Sequence, residues 1–263
     1  MLNINIKNEY NFLQAVIVGI ADDFGSVPNI NECYDPKSKE HVLAGTYPTS
    51  ASCVKEINKL IDVFHKYDIK VYQPKNIKGI NQIFARDIVF VIDEKLIIPN
   101  IIDDRRFEID AIDYILQDIS DSNKIIMPKD ARAEGGDVVA CNESVFVGFS
   151  EGEDFIKYKV SRTNSAGLNF LKELFPNKNV IGFELCKSDN NPRNNALHLD
   201  CCFQPVSENK AVICKEAFKN PFELDLLISH YGAKNIFEIS LKEMSKLYSN
   251  FFSIEKNIVV SDK

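Results

Sequence analysis

Nothing in the 263-residue sequence is apolar for long enough to cross a bilayer. Its hydrophobic runs, such as Ala15-Val16-Ile17-Val18-Gly19-Ile20, fall far short of the roughly 20 residues a membrane helix needs. The opening Met1-Leu2-Asn3-Ile4-Asn5-Ile6-Lys7 lacks the basic flank and apolar block of a secretory leader, so a cytoplasmic protein is expected. A basic excess is missing too. The formal net charge is −7, and phosphate backbones require a positive surface, so neither nucleic acid nor membrane is the expected partner. An acidic balance suits a cationic ligand instead. Paired-cysteine motifs are absent: the seven cysteines (33, 53, 141, 186, 201, 202 and 214) are odd in number and contain no C-x-x-C. That pattern argues against a disulfide framework and against a zinc site, so no metal is expected. No linker or low-complexity segment interrupts the chain, and one domain over residues 1–263 is expected.

What is present is a repeated unit of two strands, a helix and a strand. The stretch 88–98 reads as a hairpin turning at Asp93-Glu94-Lys95, followed by a helix carrying Ile109, Ile112, Leu116 and Ile119, and a strand over 124–127 ended by Pro128. The pattern restarts at 137–149, a hairpin turning at Asn142-Glu143. Thr163 is then the expected N-cap of a helix with Leu168, Leu171, Leu174 and Phe175 on its apolar face, and 179–183 is the closing strand. A third pass takes strands over 197–203 and 211–214, a helix over 221–231 begun by Pro221, and a strand over 235–239. The N-terminal part fits with a strand over 15–20, a helix over 50–67 and a strand over 69–72. Residues 250–260 begin a fifth hairpin.

Each hairpin opens on a polar cluster: Asn81-Gln82-Ile83-Phe84-Ala85-Arg86-Asp87, then Glu134-Gly135-Gly136-Asp137, then His198-Leu199-Asp200. Repeats arranged about an axis would bring such strand starts together. Carboxylates suit a delocalised cation because they accept paired N–H bonds from a guanidinium, and a histidine beside them can move protons. Each piece alone also has a plainer reading. An aspartate there caps a turn, paired glycines permit a tight one, and a lone histidine serves as a structural polar group. If the third cluster is a strand, His198, Asp200 and Cys202 share one face, an alternation that any strand produces.

Taken in order, R-D, E-G-G-D-V, R-T-N-x-x-G and H-L-D on repeated units resemble the pentein superfamily of arginine deiminases, dimethylarginine dimethylaminohydrolases and amidinotransferases. The resemblance is nearest to a bacterial amidinotransferase-like branch, through Asp35-Pro36-Lys37-Ser38, Gly45-Thr46-Tyr47-Pro48 and the run from Asn195 to Pro205. It implies a five-bladed α/β propeller with the site on its axis and no cofactor. It further implies that Asp87 and Asp200 grip a guanidinium, that His198 is the acid–base group, and that Glu134 bonds substrate or helps move protons. Asn81, Arg106 (with Arg105 competing for the same position) and Arg162 would hold a substrate carboxylate, although surface ion pairs are an equal reading for the arginines. The implied reaction is attack of a thiolate on the guanidinium carbon, through an amidino-cysteine, on arginine or a related small guanidino compound. Hydrolysis is favoured over amidine transfer.

The chain departs from that pattern in one respect. The family's nucleophilic cysteine lies in a C-terminal loop beyond the fifth unit's helix, and none of the seven cysteines stands there, with Cys202 a weak substitute. On the order of 40 residues are expected to be missing. An inactive chain, an incomplete fifth unit with an exposed apolar face near Val259, and a non-catalytic pentein binding a cationic ligand are the corresponding expectations. Partner chains, including a homo-oligomer, are compatible with such a gap.

Overall fold

The computed structural model describes residues 1–261. Its repeats form five small sheets. The first pairs β1 (Ala15–Ile17) in parallel with β2 (Lys70–Tyr72), across the helices α1 (Pro36–Ala44) and α2 (Ser50–Lys66). The second runs β3 (Phe90–Ile92), β4 (Lys95–Ile98), β5 (Lys124–Ile126), with α3 (Asp113–Leu116) in its crossover. In the third, β6 (Val138–Cys141) and β7 (Ser144–Phe149) precede α4 (Gly152–Lys157), α5 (Ser165–Leu174) and β8 (Asn179–Glu184). The fourth holds β9 (Phe203–Ser207), β10 (Lys210–Ile213) and, after α6 (Pro221–Tyr231), β11 (Ile236–Glu238). Then α7 (Leu241–Met244) leads to a last hairpin, β12 (Phe252–Glu255) and β13 (Ile258–Val260).

In each three-stranded sheet the first pair is antiparallel and the third strand joins in parallel after its crossover. Several hairpin loops place an Asp or Asn in the left-handed region, at Asp93 (φ 49°), Asn142 (φ 56°) and Asn257 (φ 70°). These short polar side chains tolerate that conformation, which matches the twist of the flanking strands. Pro205 lies in β9, an edge strand, where a missing N–H costs no ladder bond.

Apolar clusters fill the spaces between successive sheets. One joins Ile88, Val89 and Leu96 with Ile17 and Tyr72; the next joins Ile92 and Ile97 with Val145, Leu168 and Leu171; a third joins Phe146 and Phe183 with Phe203, Leu227 and Tyr231. A fourth joins the two ends of the chain, with Phe64, Ile69 and Val18 against Ile254 and Phe252. The last hairpin is covered on one face and open on the other, and the sequence leads us to expect such an open face near Val259. Ile254 is fully buried, and the Phe252 ring meets Phe64 of α2 edge-on at 5.5 Å. Only its other side is open, with Val259 45% exposed. Among the described residues, no helix is long and apolar enough to cross a membrane.

Three local expectations need correction. The helix expected over 109–119 is instead a 3-10 segment, Glu108–Ile112, followed by the single turn α3. Glu108 at its start is bound to Arg105 three residues back, a spacing that 3-10 geometry eclipses. The N-cap of α5 is Asn164, whose side chain accepts the Gly167 N–H at 2.8 Å; the Thr163 hydroxyl turns inward. Residues 199–201 form a 3-10 turn and the strand starts only at Phe203, so His198, Asp200 and Cys202 do not share a strand face.

Candidate active site

Each of three hairpins is entered through a 3-10 turn: Ala85–Asp87, Gly135–Asp137 and Leu199–Cys201. The aspartate ending one turn accepts an N–H from the next. Asp87 Oδ1 takes the Gly136 amide at 3.2 Å, and Asp137 Oδ1 takes the Leu199 amide at 3.0 Å. These bonds draw the polar clusters together, as the repeat requires. A side chain at Gly136 would have to displace its neighbours, since a Cβ there would lie 2.7 Å from His198 Nδ1 and 2.9 Å from Asp87 Oδ1.

At the meeting point His198 Nε2 lies 2.9 Å from Glu134 Oε2, and His198 Nδ1 lies 3.7 Å from Asp87 Oδ1. Glu134 is fully buried and also accepts from Arg162 Nη1 at 3.1 Å and from the Ile102 amide at 3.2 Å. Arg105 donates to Asp87 Oδ2 at 2.6 Å and, through two nitrogens, to both oxygens of Glu108 at 2.8 Å. Asp200 Oδ2 stands 2.9 Å from Arg86 Nε. Asp87, Glu134 and Asp200 each thus have a guanidinium of the protein's own beside them, and the planar two-nitrogen pairing that favours arginine over lysine is made by Arg105 with Glu108.

Burial and charge pull against one another here. For His198, burial alone would lower the pKa, but the Asp87 charge and the Glu134 hydrogen bond prevail and raise it to about 9. Burial pushes Glu134 up, and the His198 bond with the Arg162 charge outweighs it, holding the carboxylate below its usual range. Both shifts favour the imidazolium–carboxylate form of the pair. Burial lifts Asp200 to about 6 in spite of Arg86, and lifts Asp137 against the charges of Lys187 and His198.

Asp87, Glu134 and His198 are brought together, with Asp200 and Arg162 bordering them. Arg106 is not. It is exposed, donates only to the Asp103 carbonyl at 3.5 Å and lies over the Phe107 ring, while its neighbour Arg105, 3% exposed, enters the cluster. Asn81 is engaged locally, its Oδ1 accepting the Ile83 amide at 3.1 Å. Cys202 is fully buried with its thiol on the Leu199 carbonyl at 3.4 Å, and burial pushes its pKa well above the ordinary value. Glu108 and Lys187 enter the network without having stood out in the sequence, and Thr163 enters it in place of the helix-capping role expected of it. The Arg-x-x-Glu spacing of Arg105 and Glu108 was the one available signal.

Oxygen and nitrogen atoms of Asp87, Glu134 and His198 lie within 4.8 Å of one another, close enough to hold an ion. Arg105 and Arg162 already donate to these carboxylates, so positive charge is supplied by the chain itself.

The model of the family described as N,N dimethylarginine dimethylhydrolase, eukaryotic, matches residues 39–261. A Bacillus subtilis (strain 168) relative, the uncharacterized protein YkgA, is 26% identical over 258 residues, which cover 97% of this chain and 80% of that protein. Among solved structures, SxtG, an amidinotransferase from Microseira wollei in the saxitoxin biosynthetic pathway, superposes with a TM-score of 0.73 at 19% identity over 99% of this chain and 85% of the other. The N-terminal domain of ArgZ, a cyanobacterial arginine dihydrolase, gives 0.73 at 14% identity over 95% and 84%. A DDAH from Pseudomonas aeruginosa complexed with citrulline gives 0.67 at 16% over 94% and 83%. The fold is that of the penteins, and the chain belongs to the N,N-dimethylarginine dimethylhydrolase family.

Proposed function

We propose that the chain binds a small guanidino compound at this cluster and that its chemistry is of the amidine-hydrolase type. The observation that carries the reading is the buried Glu134–His198 pair, 2.9 Å long, with the Asp87 carboxylate 3.7 Å from the imidazole. In this reading Asp87 and Asp200 accept N–H bonds from the substrate guanidinium. The guanidinium takes over the Asp87 oxygen now held by Arg105, which keeps its two bonds to Glu108. Arg162 is the cation nearest Glu134 that could hold the acidic end of an amino-acid substrate. His198, charged at neutral pH, acts first as an acid towards the departing amine and then as a base towards water, with Glu134 stabilising its charged form. Glu134-Gly135-Gly136-Asp137 favours hydrolysis over transfer of the amidine. A cytoplasmic, single-domain protein belongs to the same reading.

The covalent route needs a thiolate to form a C–S bond to the guanidinium carbon as the C–N bond to the leaving amine breaks. Among the described residues no thiol is prepared for this. Cys202 is buried, and Cys201, beside Asp200, has its pKa pushed well above the ordinary value by burial and that neighbouring charge. This observation favours a second reading, ligand binding without turnover.

Two assays separate the readings. Calorimetry with L-arginine and methylated arginines should show saturable binding that Asp87→Asn abolishes. Citrulline release then distinguishes hydrolysis from binding alone. Absence of binding up to roughly 10 mM for every guanidino compound would overturn both.

A further inference from the structure

We infer that Lys187 and Asp137 are positioning residues: together they clamp the backbone on either side of His198 and so set the reach of its ring to Glu134. Lys187 is only 8% exposed, and its ammonium donates to the carbonyls of Ala196 (2.8 Å) and Leu197 (2.7 Å), the two residues before the histidine. Asp137, fully buried, accepts the amide of Leu199, the residue after it, at 3.0 Å. His198 is therefore tethered on both flanks, by a lysine about ten positions earlier in the same segment and by an aspartate from the preceding hairpin. The second oxygen of Asp137 accepts the Thr163 hydroxyl at 2.7 Å, and that hydroxyl oxygen accepts the backbone N–H of Glu134 at 3.2 Å. One run of bonds thus reaches both members of the Glu134–His198 pair.

The surroundings are built around this clamp. A Cβ on Gly148, near the end of β7, would lie 2.6 Å from Asp137 Oδ1, and one on Gly136 would lie 2.7 Å from His198 Nδ1. Burial lowers the Lys187 pKa, with the Asp137 charge acting against it. Burying an ammonium is costly, and an aliphatic side chain of similar size would serve stability as well or better. What the ammonium offers and an aliphatic chain does not is two directed donors to two consecutive carbonyls. A ring misplaced by about 1 Å is enough to impair proton transfer substantially.

The inference rests on the proposed role of Glu134 and His198, but its test does not need a ligand. The chain has four histidines, so nitrogen-correlated NMR of the ring protons is tractable on the full chain. In the wild type the His198 proton shared with Glu134 should give a slowly exchanging downfield resonance. In Lys187→Met, folded by circular dichroism and with its other histidine signals unmoved, that resonance should be lost or broadened. If citrulline release is found, kcat should fall roughly 10–100-fold with KM changed by less than about threefold. A folded Lys187→Met variant with the His198 resonance unchanged overturns the inference. Should that variant not fold, Asp137→Ala serves in its place. It removes the acceptor of the Leu199 amide, so the resonance of the proton shared by His198 and Glu134 should be lost or broadened, and an unchanged resonance overturns the inference. A tethered His198 in a chain that binds no guanidino compound would retire the functional proposal and leave this one standing.

Discussion

The hairpins β6–β7 and β12–β13 are built by the same local rule and end in different surroundings. Both turn through two residues with an asparagine at positive φ, Asn142 and Asn257. Every residue of β6 and β7 is buried, with apolar clusters on both faces. In β12 and β13 only Ser253 and Ile254 are buried, because α2 covers one side alone. The cluster of titratable groups is entered from the doubly covered hairpin, through the turn that carries Glu134, Gly136 and Asp137. Placement of side chains to within a few tenths of an ångström is available where close packing on both faces leaves the backbone no freedom.

The contrast can be broken by substitution. Phe146→Ala, which removes a fully buried ring packed against Phe183 and Phe203, should cost about 3–5 kcal/mol in denaturant unfolding. Val259→Ala should cost less than about 1 kcal/mol, and equal costs would dissolve the distinction. A second pair sharpens it at neighbouring positions. Arg105→Ala strands Asp87 and Glu108 as buried carboxylates, with an expected loss of about 3–5 kcal/mol. Arg106→Ala, at the surface, should stay within about 0.5 kcal/mol. Gly136→Ala forces a methyl against His198 and Asp87 and should cost about 1–3 kcal/mol while displacing the His198 resonance.

The remaining test is of pH dependence. His198 is raised to about 9 in the folded chain, so its contribution to stability is fully present below its ordinary value near 6.5 and is lost as pH rises through 9. Asp200, raised to about 6, also favours the protonated fold, with its contribution present below about 4 and lost as pH rises through 6. Stability should therefore decline between pH 7 and 9, and His198→Gln should flatten that decline. A decline unchanged in His198→Gln would place its origin elsewhere.

How far the sequence carried this account depended on range. The hairpins were legible because Asp93 and Asn142 are turn residues between β-rich runs, and α6 because Pro221 opens it. Glu134-Gly135-Gly136-Asp137 and His198-Leu199-Asp200 were legible as clusters because they recur at equivalent places in the repeat. Their conformation was not. The turn over 199–201 is held by hydrogen bonds that reach it from Asp137, 62 positions away, and no local pattern reports those. Arg105 and Arg106 are indistinguishable as a dipeptide; only the pairing with Glu108 selects the first. Lys187 looks like an ordinary solvated lysine until the segment at 195–199 folds back over it. Which element covers the inner face of the last hairpin was not legible for the same reason, since α2 lies near the other end of the chain.

The claim at the centre of this account is that the cluster receives a guanidinium, and a titration of the full chain with L-arginine, followed by NMR at its four histidines, tests it most directly. The account predicts a saturable shift of the His198 resonance, absent in Asp87→Asn, while His41, His65 and His230 stay in place. An unmoved His198, or a uniform drift of all four, would contradict it.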